Sequence, residues 1–229
     1  MDHAAIANPP EVWLYGSVAR GDADRFSDVD LLVVADQVNP MEQVAEDVGY
    51  PVGSSISVYS WKEVEAMASY GSIFLHHIGT EGRCLRASTH HPKRFLYLLS
   101  TLPPYQSAGR DMRSFQATFR DVLSSLTDGG WPDFEFQILG AMVRHAAILG
   151  AYCAGSPSYG RETPFQVSGD ALGYGRERWT LLARGATAYR QGRLTAAPDY
   201  DQWLNQVGTF LEDLGDLVDD YDRALHQAA

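Results

Sequence analysis

The sequence predicts an α/β (α+β) mixed-sheet head followed by an all-α helical bundle, and three observations carry that prediction. Short apolar runs of strand length alternate with amphipathic segments up to about residue 90. After His91-Pro92 nearly every segment carries apolar residues at helical spacing. With 229 residues, 45% of them hydrophobic, the chain can fill one large core or two small ones. The change of character divides it into residues 1–90 and 91–229.

In the head, Val12–Tyr15, Val29–Val34 and Ile56–Tyr59 read as strands, with Arg83–Leu85 as a short closing strand. Met41–Val48 reads as a helix. Trp61–Ser69 reads as another, with Ser60 as its N-cap and Glu63 completing a capping box. Phe74–Ile78 reads as a further helical turn. Beyond the head, helical spacing marks Phe95–Ser100, Ala108–Leu126, Phe134–Cys153, Ala171–Tyr189 and Tyr200–His226. The last segment sets Trp203, Val207, Phe210, Leu211, Leu214, Leu217, Val218 and Tyr221 against Asp and Glu. Pro103-Pro104, Gly129-Gly130 and the Gly155–Gly160 stretch mark breaks between helices.

The chemistry concentrates in Trp13-Leu14-Tyr15-Gly16-Ser17-Val18-Ala19-Arg20-Gly21 and Ser27-Asp28-Val29-Asp30-Leu31-Leu32-Val33-Val34. Residues i and i+2 of a strand share a face, so Asp28 and Asp30 are expected to project side by side. Like charges that close repel unless a cation lies between them. A magnesium-type ion accepts one or two carboxylates together with substrate phosphates, so the pair reads as a metal handle. Gly16 lets the backbone approach a ligand closely, and Ser17 is expected to cap a helix starting near Val18. The free N–H groups of such a helix start suit a phosphate, and Arg20 adds a cation one turn further on. The chain contains no GxxxxGK[ST] and no GxGxxG.

Gly16-Ser17, ten intervening residues and Asp28-Val29-Asp30 resemble the core motif of the polymerase-β-like nucleotidyltransferase superfamily. The fuller stretch GSVARGDADRFSDVDLLVV is similar to the minimal and kanamycin-type bacterial nucleotidyltransferases. The resemblance implies a nucleotidyltransferase catalytic domain at 1–90, and a helical C-terminal domain at 91–229 for acceptor binding or partner contact. It implies Mg2+ or Mn2+ held by Asp28 and Asp30, which are also the catalytic residues. A nucleoside triphosphate, ATP first among them, would be bound by Gly16, Ser17 and Arg20. The reaction implied is transfer of a nucleoside monophosphate, most readily AMP, to a hydroxyl of a small molecule such as an aminoglycoside. Two metal ions about 3.5–4 Å apart can clamp the attacking and leaving oxygens of such a transfer.

One departure from the family pattern bears on catalysis. The usual third carboxylate stands on the next strand, and here that strand reads Ser54-Ser55-Ile56-Ser57-Val58-Tyr59-Ser60, with Ser55 and Ser57 at the site-facing positions. A serine binds magnesium weakly and is no base at neutral pH without help. Three explanations stand: a degenerate nucleotide-binding member, a carboxylate from the helical domain (Asp111, Asp121 or Glu135), or an acceptor that needs no base. The second is preferred. The alternative function is an antitoxin-type or regulatory member that modifies or binds a partner protein.

Other residues take plainer readings. Ser72-Ile73-Phe74-Leu75-His76-His77-Ile78 with Glu81-Gly82 resembles a segment of small bacterial nucleotidyltransferases in which a helix leads to the closing strand. His76 and His77 lie about 100° apart on a helix and do not converge on one metal, so one is expected to be packed and the other exposed. Arg86 and His91 match the Arg-x4–6-His spacing of HEPN ribonucleases, but outside a long helix, and carry no assignment. Tyr159-Gly160-Arg161-Glu162 reads as an ordinary capped loop. Cys84 and Cys153 lack metal-type spacing and read as buried reduced thiols.

Charge argues about partners. Eighteen Lys and Arg against 29 Asp and Glu give a net charge of −11, which repels polyanions. With no dense basic cluster, a nucleic-acid acceptor is disfavoured and a cationic small molecule gains. No run of membrane-span length and no leader pattern is read, so no membrane partner is expected and the cytoplasm is the expected location. A homodimer is consistent with related antibiotic-modifying enzymes that complete their sites across subunits.

Overall fold

The protein, seen here in a computed structural model, is described over residues 10–25, 27–35, 54–87, 92–190 and 199–228. It forms two compact units, Met1–Gln106 and Ser107–Ala229. The helix expected at Met41–Val48 lies outside the described residues.

In the first unit the strands β1 (Glu11–Tyr15), β2 (Val29–Ala35), β3 (Ser54–Ser60) and β4 (Arg83–Arg86) form one sheet in the order β3-β2-β1-β4. β1 runs antiparallel to β2 and β4, while β2 and β3 run parallel, so the sheet is mixed as expected. The strand period of two separates its faces. Trp13, Leu32 and Val34 pack under Trp61, Val64, Leu75, Ile78 and Phe95, all of them buried. Val12, Leu31 and Val33 are buried on the opposite face with Leu14, Val29, Ile56 and Val58 packed beside them.

Helices connect and cover the strands. The short α1 (Gly16–Arg20) follows β1, and α2 (Trp61–Ser69) and α3 (Ile73–Glu81) lie between β3 and β4. The capping box of α2 forms as expected: Glu63 N–H donates to Ser60 Oγ at 3.3 Å, and Ser60 N–H donates to Glu63 Oε2 at 2.7 Å. The helix after β4, α4 (Arg94–Ser100), belongs to this unit although composition places it beyond residue 90. Its Phe95 ring meets Trp13 edge-on at 5.1 Å and Trp61 at 6.1 Å, while the Arg94 guanidinium lies 4.1 Å over the Trp61 ring. A large aromatic anchored between two tryptophans outweighs the local change in composition.

The second unit is helical: α5 (Ala108–Thr127), α6 (Pro132–Cys153), α7 (Thr163–Ala171), α8 (Arg176–Arg190) and α9 (Tyr200–Ala228). α6 packs against all four others. By length and composition it could cross a membrane, which corrects the expectation that no run reaches that length, and 61% of its apolar window is buried within the fold. Trp203, Val207, Phe210, Leu211, Leu214 and Val218 of α9 are buried, which is the expected stripe. Trp203 lies so close to Gly185 that a Cβ there would meet its Nε1 at 2.0 Å, and the indole donates to Leu182 O at 3.3 Å.

Two expectations require correction. The helix expected over Ala171–Tyr189 is broken, because α7 ends at Ala171 and α8 begins at Arg176. Gly173 between them adopts φ +73°, a left-handed conformation that closes α7, as Tyr174 N–H returns to Gly169 O at 2.8 Å. The cysteines are free, but Cys84 on β4 is exposed and Cys153 half-buried, so neither is a fully buried thiol. Cys84 sits on a four-residue strand whose first three residues are all exposed.

Candidate nucleotide site in the sheet unit

The site is assembled where β1 ends and β2 begins. The antiparallel register pairs Tyr15 with Asp30, so the chain leaves β1 at Gly16 and returns beside it at Asp30. Gly16 adopts φ +73°, and a Cβ on it would meet Asp30 Oδ2 at 2.3 Å. Glycine is therefore required twice, by backbone conformation and by the carboxylate lying against it. α1 then runs five residues and is closed by Gly21, whose N–H donates to Ser17 O. In the lead-in to β2, Asp24 N–H donates to Ser27 Oγ at 3.0 Å, and Ser27 Oγ–H donates to Asp24 Oδ1 at 3.1 Å. This reciprocal turn brings the chain to Asp28.

The metal-handle residues occupy different settings. Asp30 is half-buried within β2, on the face of Leu32 and Val34, while Asp28 is exposed one residue before the strand begins. On the other side of Asp30, the parallel register sets Ser55 directly beside it. Ser57 follows on the same face of β3, with its Oγ 3.4 Å from the Tyr15 hydroxyl. The row across the sheet thus reads Tyr15, Asp30, Ser55, and a hydroxyl stands where the family pattern has a carboxylate. Burial pushes the Tyr15 phenol above its ordinary pKa; the Ser57 hydrogen bond opposes this, while Asp30 and Tyr59 add to it. Tyr15 is therefore a neutral hydroxyl near pH 7.

Ser17 and Arg20 differ from the sequence expectation. Ser17 is the second residue of α1 rather than its cap, for the helix begins at Gly16 with Tyr15 at the N-cap and no side-chain capping bond. The Gly16 N–H is not open to a ligand: Gly16 is buried and its amide donates to Glu81 Oε1 at 3.0 Å. Arg20 Nη1 donates to the same oxygen at 2.7 Å, and its Nε reaches Asp22 Oδ2 at 3.1 Å.

Glu81, at the C-terminal end of α3, went unassigned in the sequence reading. Its carboxylate gathers Gly16 N–H, Arg20 and His77, and its side chain is only 9% exposed. Burial works against the charged form, but the hydrogen bonds and charges of His77 and Arg20 outweigh it and hold the carboxyl below its ordinary range. His77 and Glu81 stand at i, i+4 on one helix face, whereas Gly16, which the carboxylate also meets, lies 65 residues away in sequence. His77 also packs edge-on against the Tyr15 ring at 5.5 Å. His76 bonds through Nε2 to Pro103 O at 3.1 Å, so both histidines are half-buried and bonded, and neither is exposed as expected.

Among the described residues no three His, Cys, Asp or Glu side chains are grouped to hold a metal. The hard oxygens of Asp28 and Asp30 fit Mg2+ of the kind that completes its shell with substrate phosphates and water. In the helical unit, Asp111 stands 3.8 Å from Arg110 Nε, Asp121 is exposed, and Glu135 accepts a hydrogen bond from Ser125 Oγ–H. Tyr159 is buried there, its carbonyl accepting from Arg144 at 2.9 Å, which makes its loop a packing element. Arg86 donates from Nε to Pro10 O at 2.9 Å, and His91 lies outside the described residues.

Residues 7–62 match the family model of the nucleotidyltransferase domain, and the mixed sheet with its glycine turn pressed against Asp30 is consistent with the polymerase-β-like superfamily. No curated protein matches the chain.

Proposed function

We propose that the protein transfers a nucleoside monophosphate, AMP foremost, from a triphosphate to a hydroxyl of a small-molecule acceptor such as an aminoglycoside. The observation that carries this reading is the return of Asp30 against Gly16, inside the stretch that matches the nucleotidyltransferase domain. Asp28 and Asp30 would hold Mg2+, which when bound supplies charge neutralisation and polarises the phosphoryl group. Ser17 offers its hydroxyl to the terminal phosphates, and Arg20 contributes a cation beside the turn. The acceptor oxygen forms a bond to the α-phosphorus, the bond to the pyrophosphate breaks, and pyrophosphate leaves with its electron pair. The acceptor proton passes to a base that β3 does not supply, since Ser55 and Ser57 stand there. A net charge of −11 favours a cationic acceptor over a nucleic acid.

Ser55 beside Asp30 favours a second reading, a member that binds nucleotide without transferring it, in a regulatory or antitoxin-type role. One experiment separates the two. The protein is incubated with Mg2+, each of the four labelled ribonucleoside triphosphates and a panel of aminoglycosides, and pyrophosphate release is followed. Transfer predicts release with at least one nucleotide–acceptor pair, abolished by chelation. Bound nucleotide with no release across the panel supports the second reading.

A further inference from the structure

The Glu81 carboxylate sits at the hinge of the candidate site yet belongs to neither half of the Gly-Ser…Asp-x-Asp motif. Its Oε1 accepts from the buried Gly16 amide at 3.0 Å and from Arg20 Nη1 at 2.7 Å, with His77 as a third partner. Gly16 in turn lies against Asp30 Oδ2, so the turn is held between two carboxylates, one on α3 and one on β2. We propose that Glu81 is the positioning residue of the nucleotide site: it fixes the Gly16-Ser17 turn against Asp30 and holds the Arg20 guanidinium beside that turn. The proposal rests on the reading of this site as a triphosphate site and adds a residue to it.

Three observations favour positioning over a removable latch. α3 is anchored by Leu75 and Ile78, both fully buried, so Glu81 stands on a rigid element. Its side chain is almost enclosed, and the amide it accepts from is itself buried and would lose its acceptor if the carboxylate swung away. The bond also spans a helix end and a strand end distant in sequence, the kind of cross-element contact that sets the angle of a turn. Ser17, one residue after the fixed amide and half-buried, is the group whose placement depends most directly on it.

The test uses the full chain with Glu81→Gln and Glu81→Ala. Binding of each Mg2+–nucleoside triphosphate is measured by titration calorimetry well below the unfolding midpoint, and the Gly16 amide proton is followed by NMR. Glu81→Gln keeps the shape and one acceptor oxygen but loses the charge facing Arg20. Binding is expected to be about tenfold weaker in Glu81→Ala and to fall to an intermediate degree in Glu81→Gln, with an upfield shift of the Gly16 amide proton in Glu81→Ala. If the parent binds and both folded Glu81 variants bind equally well, the positioning role is overturned while the nucleotide site stands. If the parent binds none of the four triphosphates with Mg2+, the reading of the site falls, and the role of Glu81 falls with it.

Discussion

Glu81 is held ionised by Arg20 and His77 against the cost of its burial, and that balance makes it a pH-dependent element of the sheet unit. A carboxyl with a folded pKa below its unfolded value of about 4.3 contributes stability at higher pH. The contribution is present above the unfolded value and is lost as pH falls through the folded one. Urea unfolding of the parent and of Glu81→Gln, followed from pH 7 down to pH 3, checks this. The parent is expected to be the more stable at pH 7, and the gap to narrow steadily below about pH 4.5. A gap that stays constant across the range would show that Glu81 contributes no ionised contact. Gly16 and Asp30 were legible as a pair because their spacing is local and their chemistry specific. Glu81 was not, since nothing in a single sequence ties residue 81 to residue 16.

At the scale of elements, periodicity served well where one face of an element is buried and the other wet. α2 and α9 follow the expected runs closely because their apolar residues recur at helical spacing among polar ones; β2 was legible for another reason, as a continuous apolar run buried on both faces. Periodicity failed where a backbone feature intervenes: the left-handed Gly173 splits one expected helix into α7 and α8. α4 shows a second kind of miss. Its helix was legible, but its allegiance is decided by Phe95 between Trp13 and Trp61, contacts remote in sequence. Phe95→Ala in the full chain is expected to cost about 3–5 kcal/mol in urea unfolding. Hydrogen exchange is expected to quicken at the β1 and β2 amides and to stay unchanged at the core of α6. Faster exchange in α6 with β1 and β2 unchanged would return α4 to the helical unit.

At the scale of the whole molecule, two units each carry buried apolar residues of their own, and the residues proposed to handle nucleotide all lie in the first. The net charge of −11 is the ground on which a cationic acceptor, rather than a polyanionic partner, is proposed. The class of the sheet unit was legible from about twenty residues, because a glycine turn and two spaced acids reflect a single chemistry. The acceptor was not, since recognition of a small molecule depends on cavity shape, which neither spacing nor composition encodes. The claim on which everything else rests is that Asp28 and Asp30 hold the metal of a triphosphate site. Titration calorimetry of ATP against the full chain, with and without Mg2+, in the parent and in Asp30→Ala, tests it most directly. Mg2+-dependent binding is expected in the parent, with a loss of about a hundredfold or more in a folded Asp30→Ala. Equal affinity in the two proteins, or parent binding indifferent to Mg2+, would contradict it.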